Sequence, residues 1–223
     1  MVESYNKLRS TYSPNDARSN GYRSHAYFEK EQSILLNELN NSPEIILDIA
    51  CGSGLMLIPL LKANINIIGI DLDINACIAA KDNSLKMIQG SVYSIPINSG
   101  SIDYAVSCQF LNQQSLDSIF PLLQEAYRVL RKGGKLTLIW RNGNALIHRV
   151  ATCLYKVIDT IFNNQAFPYF NHTILDVENH AKNIGFNICN KEVIFPSLSW
   201  RSKNTNSALS KIIGASCLLT LEK

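Results

Sequence analysis

The chain has 223 residues, 46% of them hydrophobic and 17% charged, a composition that suits one globular domain with a sizeable core and excludes the disordered class. A net charge of +3 is too mild to imply a nucleic-acid partner by itself. The six cysteines (51, 77, 108, 153, 189, 217) form no C-x-x-C pair and the four histidines (25, 148, 172, 180) have no metal-ligand spacing, so the expectation is reduced thiols, no metal and a cytoplasmic location.

Residues 1–23 are polar and tyrosine-rich, with a turn at Pro14-Asn-Asp. Residues 24–39 have helical spacing, with Ser24 as cap and Tyr27, Phe28, Ile34, Leu35 and Leu39 as the apolar positions. The first strand is expected over 44–49. It runs into Ala50-Cys-Gly-Ser-Gly and then a helix over 55–63 that carries Pro59 in its second turn. Strands follow at 65–70, 86–89, 102–107 and 135–140, separated by helices at 74–81 and 116–130. Arg131-Lys-Gly-Gly reads as the end of the latter helix, with basic residues at its C-terminal dipole. Beyond residue 140, periodicity predicts helices over 149–162 and 174–183, the second with Leu175, Val177, Ala181 and Ile184 inward, and strands over 186–195 and 216–221. Residues 196–210 read as a loop.

Alternation of strand and helix up to residue 140 predicts an α/β fold with a parallel, doubly wound sheet. Such sheets bind ligands beyond the carboxyl ends of their strands. The loops to search are therefore 48–54, 71–73, 90–92 and 108–109. The glycines of the first loop let the backbone turn sharply and approach a ligand, and the helix after it would aim its free N–H groups there. A dinucleotide loop needs a third glycine, and Leu57 stands in that place. Asp71 ends the second strand, where a carboxylate accepts from ribose hydroxyls.

Four ordered stretches, Leu47-Asp-Ile-Ala-Cys-Gly-Ser-Gly, Gly69-Ile-Asp-Leu-Asp, Gly90-Ser-Val-Tyr-Ser-Ile-Pro-Ile and Glu125-Ala-Tyr-Arg-Val-Leu-Arg-Lys-Gly-Gly-Lys-Leu, resemble the motifs of class I S-adenosylmethionine-dependent methyltransferases. The flavour is that of the small-molecule, ubiquinone/menaquinone-biosynthesis-like group (methyltransferase type 11). Tyr5-Asn-Lys-Leu-Arg-Ser-Thr-Tyr-Ser resembles that group's leader. The resemblance covers residues 1–140 well and the remainder in outline. It implies a Rossmann-like, mostly parallel seven-stranded sheet with helices on both faces. A single domain would then comprise an N-terminal cap (1–40), a cofactor core (44–140) and a substrate side (141–223).

The resemblance also implies S-adenosyl-L-methionine as cofactor and S-adenosyl-L-homocysteine as product. Asp48, Ala50, Cys51, Gly52, Ser53 and Gly54 would underlie the methionine part. Asp71 would hold the ribose, Leu72 would lie against the adenine, Ser91 and Val92 at its edge, and Cys108 and Gln109 would line the site. Ser91 stands where the family usually has Asp, and is the weaker acceptor there. Methyl transfer from a sulfonium needs alignment and exclusion of water more than acid–base groups, so catalytic candidates are few: His148 as a base, and Tyr12 in the arm. Tyr22, Arg18, Arg23 and His25 could close over the cofactor, Arg23 pairing its carboxylate. The expected partner is a small-molecule acceptor, apolar or aromatic if residues 149–162 and 167–170 lid it, although the 149–162 stripe reads first as packing on the sheet. No nucleic-acid partner and no membrane span are expected, and the protein would be a monomer or homodimer. The rivals are an RNA methyltransferase, a nicotinamide oxidoreductase disfavoured by Leu57, and a cofactor-binding but inactive relative.

Overall fold

The computed structural model describes residues 11, 13, 16–17, 22, 25–39, 43–61, 65–146, 148–150, 153–154, 170–195, 201–205 and 207–223. In chain order the elements are α1 (His25–Glu38), β1 (Ile45–Ile49), a 3-10 turn (Leu55–Leu57), α2 (Ile58–Leu61), β2 (Asn66–Asp71), α3 (Ile74–Asp82), β3 (Lys86–Gln89), β4 (Ile102–Cys108), a second 3-10 turn (Leu111–Gln113), α4 (Leu116–Val129), β5 (Leu130–Arg141), α5 (Ile174–Ile184), β6 (Asn187–Ile194), β7 (Arg201–Ser202), α6 (Ala208–Ile213) and β8 (Ser216–Glu222).

The sheet runs β3-β2-β1-β4-β5-β8-β6-β7. Its first five strands are parallel, and β8 enters antiparallel between β5 and β6. The seven strands expected from the sequence are all present, and the two-residue β7 adds an edge to β6.

Because side chains alternate across a pleated strand, each strand feeds two cores. Leu47, Ala105, Leu138, Val193 and Leu219 face α4 and α5, whereas Ile46, Val106, Ile139, Ile194 and Leu218 face α1 and the 55–57 turn. The sheet is thus covered on both sides, which is why β1, β4 and β8 read as nearly continuous apolar runs. A buried polar seam crosses the α1 face. Tyr104 and Thr137 hydroxyls are 2.7 Å apart, Thr137 and Thr220 3.0 Å, and Thr220 donates to Glu38 at 3.2 Å.

Several expectations are corrected. The helix over 55–63 opens as a 3-10 turn and is α-helical over Ile58–Leu61, so a 3-10 turn rather than an α-helical N-terminus faces the first loop; residues 62 and 63 lie outside the described residues. Residues 131–134 do not end α4. Leu130 caps it, and these residues form a bulge inside β5, where pairing jumps from Ile102–Leu130 to Tyr104–Lys135 with Gly133 at φ 73. Arg131 pairs with Asp103 at 2.7 Å instead of serving a helix end. On α5 the inward positions are Ile174, Val177, Glu178 and Ala181, the i, i+3, i+4, i+7 set of a helix face. Leu175, one step round the helix, is 64% exposed. The loop read over 196–210 contains β7 and the start of α6. Of the 149–162 stripe, Val150, Cys153 and Leu154 are helical and exposed, not packed on the sheet. Among the described residues no helix is long and apolar enough to cross a membrane.

Candidate functional site

Beyond the carboxyl ends of β1, β2 and β4 lies a cavity of about 360 Å³, within the range of small-molecule sites. Of the residues singled out from the sequence, Asp48, Ala50, Cys51, Gly52, Asp71, Leu72, Ser91, Val92, Cys108 and Gln109 line it.

The floor is the turn after β1. It has three left-handed residues, Ala50 (φ 57), Gly52 (φ 57) and Gly54 (φ 75). Ser53 and Gly54 support the loop from behind, without lining the cavity. Asn83 donates to the Ser53 carbonyl at 3.1 Å, and a Cβ on Gly54 would come within 2.8 Å of the Leu85 side chain. Gln32 of α1 donates to the carbonyls of Leu55 and Met56 at 2.9 and 3.1 Å, fastening the 3-10 turn.

Asp71 ties two loops together. Its Oδ2 accepts from the Gly52 amide and its Oδ1 from the Asp73 amide, both at 2.9 Å. Asp73 in turn caps α3, accepting from the Asn75 amide at 2.9 Å. Ser91 does not reach outward: its hydroxyl accepts from the Tyr93 amide at 3.2 Å within its own turn.

Asp48 differs from Asp71. It is 3% exposed and its Oδ2 has no hydrogen-bond partner. Burial first, then the neighbouring Asp71 carboxylate, pushes its pKa up to about 8. An orphaned acceptor in a cavity wall is costly unless something with positive charge or a donor occupies the cavity. The thiols of Cys51 and Cys108 are likewise pushed up, by burial and then by Asp48, so both stay protonated.

The other walls come from residues that the sequence reading did not select: Phe28 on α1, Met56, Asp73, Tyr93, Phe110, Gln113 and Gln114. The Leu111-Asn-Gln-Gln stretch is the one sequence signal that could have found some of them, because it is polar immediately after an apolar strand. Tyr22, named as a closing residue, does line the cavity, edge-on to Phe28 with ring centroids 5.0 Å apart. His25 pairs with Asp16 at 3.1 Å and does not line it. His148 is also absent from the wall, its Nε2 lying 2.9 Å from the Ala215 carbonyl, which gives it a structural bond in place of a proton-transfer position. Tyr12, Arg18 and Arg23 lie outside the described residues, as do 167–169 of the expected lid. Phe170 is described, and its amide donates to the Asn112 carbonyl at 2.7 Å.

Residues 47–138 match the family model described as a methyltransferase domain. An uncharacterized methyltransferase of Synechocystis sp. is 25% identical over 114 residues, covering 50% of this chain and 54% of that protein. The chain thus spans about half the length of the curated relative it matches. Among solved structures, a SAM-dependent methyltransferase from Archaeoglobus fulgidus superposes with a TM-score of 0.71 at 13% identity, covering 93% of this chain and 98% of the other. A SAM-dependent methyltransferase of Thermotoga maritima, described as a possible histamine N-methyltransferase, gives 0.66 at 18% identity and covers 88% and 89%. At these identities the structural likeness speaks for the fold.

Proposed function

We propose, from a chain whose residues 47–138 match the methyltransferase-domain family, that the cavity binds S-adenosyl-L-methionine and that the protein methylates a small molecule. The single observation that carries this reading is the pair of carboxylates on adjacent strand ends in one cavity, Asp71 held by the Gly52 and Asp73 amides and Asp48 with an orphaned oxygen. Asp71 suits two ribose hydroxyls. Asp48 suits the cationic end of a ligand whose sulfonium and ammonium groups are both positive. The left-handed turn between them leaves backbone, not side chain, facing the ligand.

When bound, the cofactor supplies a methyl group already activated on a sulfonium. The chain's own work is then to orient and to exclude water. Leu72, 63% exposed, and Val92 offer apolar surfaces for an adenine. Ser91, turned into its own loop, leaves the adenine edge to the backbone. Phe28, Met56 and Phe110 dry the opposite wall. Tyr22 keeps its phenolic proton, because burial and then the Glu31 carboxylate push its pKa well above the usual value, so it acts by shape and not as a base. A base is needed only where the acceptor must lose a proton.

The test is calorimetry with S-adenosylmethionine, S-adenosylhomocysteine and NAD. Micromolar binding of the first two is expected, about −8 kcal/mol, with no binding of NAD. Asp71→Ala should weaken S-adenosylhomocysteine at least tenfold, and unchanged affinity would remove the ribose assignment. Methyl transfer from labelled cofactor into a small-molecule extract, and none into RNA, is the expected result for the acceptor. Label in RNA alone would replace the small-molecule reading with the nucleic-acid one.

A further inference from the structure

One polar cluster beside the cavity is not used by the reading above. Glu31 lies on α1, on the side of the helix that buries Phe28, Ile34 and Leu35. It is 0% exposed. Its carboxylate collects donors from three separate parts of the chain. The Tyr22 hydroxyl donates to Oε2 at 3.0 Å. The Gln109 amide donates to Oε1 at 2.8 Å and to Oε2 at 3.0 Å. The Ser216 hydroxyl, at the start of β8, donates to Oε1 at 2.5 Å. Tyr27, also on α1, joins the cluster through a hydrogen bond with Ser216.

Two of these donors, Tyr22 and Gln109, are themselves cavity wall. Gln109 is held in a costly conformation for a residue other than glycine, with φ 59 in the left-handed region. Its side-chain amide is fully engaged. The Nε2 faces Glu31, and the Oε1 accepts from Asn112 at 2.7 Å. Asn112 continues the chain, its Oδ1 accepting from the Arg141 amide at the end of β5 at 3.0 Å. The orientation of the Gln109 amide is therefore dictated at both ends. Only its stem and backbone remain to face the cavity. A buried carboxylate surrounded by neutral donors is costly to break at any one bond, because the charge is then left short of a partner. Burial raises the pKa of Glu31, and the hydroxyl and amide donors oppose that rise.

We propose that Glu31 is a positioning residue that latches the N-terminal arm, through Tyr22, to the turn after β4, through Gln109, and so fixes two walls of the cofactor cavity. The proposal rests on the cofactor reading above for its ligand, and on geometry alone for the latch. In this arrangement the Tyr22 hydroxyl ties that part of the arm to α1. The same carboxylate that receives that hydroxyl holds the strained Gln109 turn, so loosening either side loosens both.

Glu31→Gln keeps the size of the side chain but turns an NH2 group toward Tyr22 and Gln109, both of which are donors. Tyr22→Phe removes only the hydroxyl. Each is expected to raise the dissociation constant of S-adenosylhomocysteine by about tenfold, or 1.4 kcal/mol. The double variant E31Q/Y22F should bind no worse than the weaker single variant, because both cut the same latch. Glu31→Gln with Gln109→Glu, which rebuilds the carboxylate–amide pair with the roles exchanged, should recover most of the loss. A second readout needs no ligand. The Tyr22 amide donates to the Ala17 carbonyl at 3.2 Å, and its hydrogen exchange should quicken about tenfold in both single variants while the melting transition stays cooperative. Wild-type affinity and exchange in folded Y22F would overturn the proposal, as would losses that simply add in E31Q/Y22F. If E31Q does not fold, Y22F alone decides by the same two measurements. If the wild type binds neither S-adenosylmethionine nor S-adenosylhomocysteine, the cofactor reading fails by itself, and the exchange experiment still judges the latch.

Discussion

At the scale of single residues, Asp48 is the most consequential side chain. Its pKa stands near 8 in the folded chain against 3.8 as its ordinary value. The folded state therefore holds a proton that the unfolded state gives up above pH 3.8. Stability from this group is fully present below that value and falls as pH rises to about 8, by up to about 1.4 kcal/mol per pH unit. Asp48→Asn should remove this slope, so that denaturant unfolding of the variant varies less with pH between 4 and 8 than that of the wild type. Parallel curves for the two proteins would refute it. A cationic ligand reverses the preference. At pH 7, binding of S-adenosylmethionine should ionise Asp48 and release about one proton, visible as a dependence of the calorimetric enthalpy on the ionisation heat of the buffer. The release should vanish in Asp48→Asn.

Glu31 shows why such residues escape a reading of the sequence. A glutamate in the middle of His25–Glu38 looks like one of the solvated positions of an amphipathic helix. What buries it are donors 78 and 185 residues away along the chain, at Gln109 and Ser216. Asp48 and Asp71 were legible because each ends a strand beside a turn whose glycines announce a close backbone approach. The difference is one of range: local backbone demands are written in neighbouring residues, and a long-range cluster is not.

At the scale of elements, the turn after β1 stores strain at Ala50, whose φ of 57 would suit glycine better. Ala50→Gly should relieve it and raise the unfolding free energy by about 0.5–1 kcal/mol, after allowing for the greater freedom of glycine when unfolded. Urea denaturation will show the change, and a loss of stability would contradict the assigned conformation. The opposite result is expected at Gly143, where a Cβ would stand 2.5 Å from the His172 carbonyl oxygen and 2.6 Å from the Asn171 carbonyl carbon. Backbone cannot yield as a side chain can, so Gly143→Ala should destabilise by about 1–3 kcal/mol. Strands, with their periodicity and apolar runs, were legible to within a residue or two along most of the chain. Two strands depart from this: β7 lies in a stretch read as a loop, and β5 begins five residues before its expected start, because the bulge at 131–134 mimics a helix end in sequence. Arg131, which reads as a dipole cap, is instead the partner of Asp103. On α5, composition favoured Leu175 as core, yet helical geometry buries Glu178, which takes Lys182 and Lys191 at 2.7 and 3.0 Å.

At the scale of the whole molecule, β8 follows the other seven strands in sequence and yet lies inside the sheet, bonded to β5 on one side and β6 on the other. From Ser216 to Leu221 every residue is buried. During synthesis, the parallel β1–β5 half can therefore assemble early, but β5 keeps an open edge and β6 has no place to dock until residue 222 has emerged. Open edges of apolar strands are sites of mispairing. Pulse-labelled hydrogen exchange during refolding should show protection in β1, β2 and β4 before β6 and β8, and simultaneous protection would contradict this order. The same insertion brings Ser216 to Glu31. The polar cluster beside the cavity is thus completed from β8, which follows the other seven strands in sequence, so Glu31 gains its Ser216 partner only once that strand has entered the sheet.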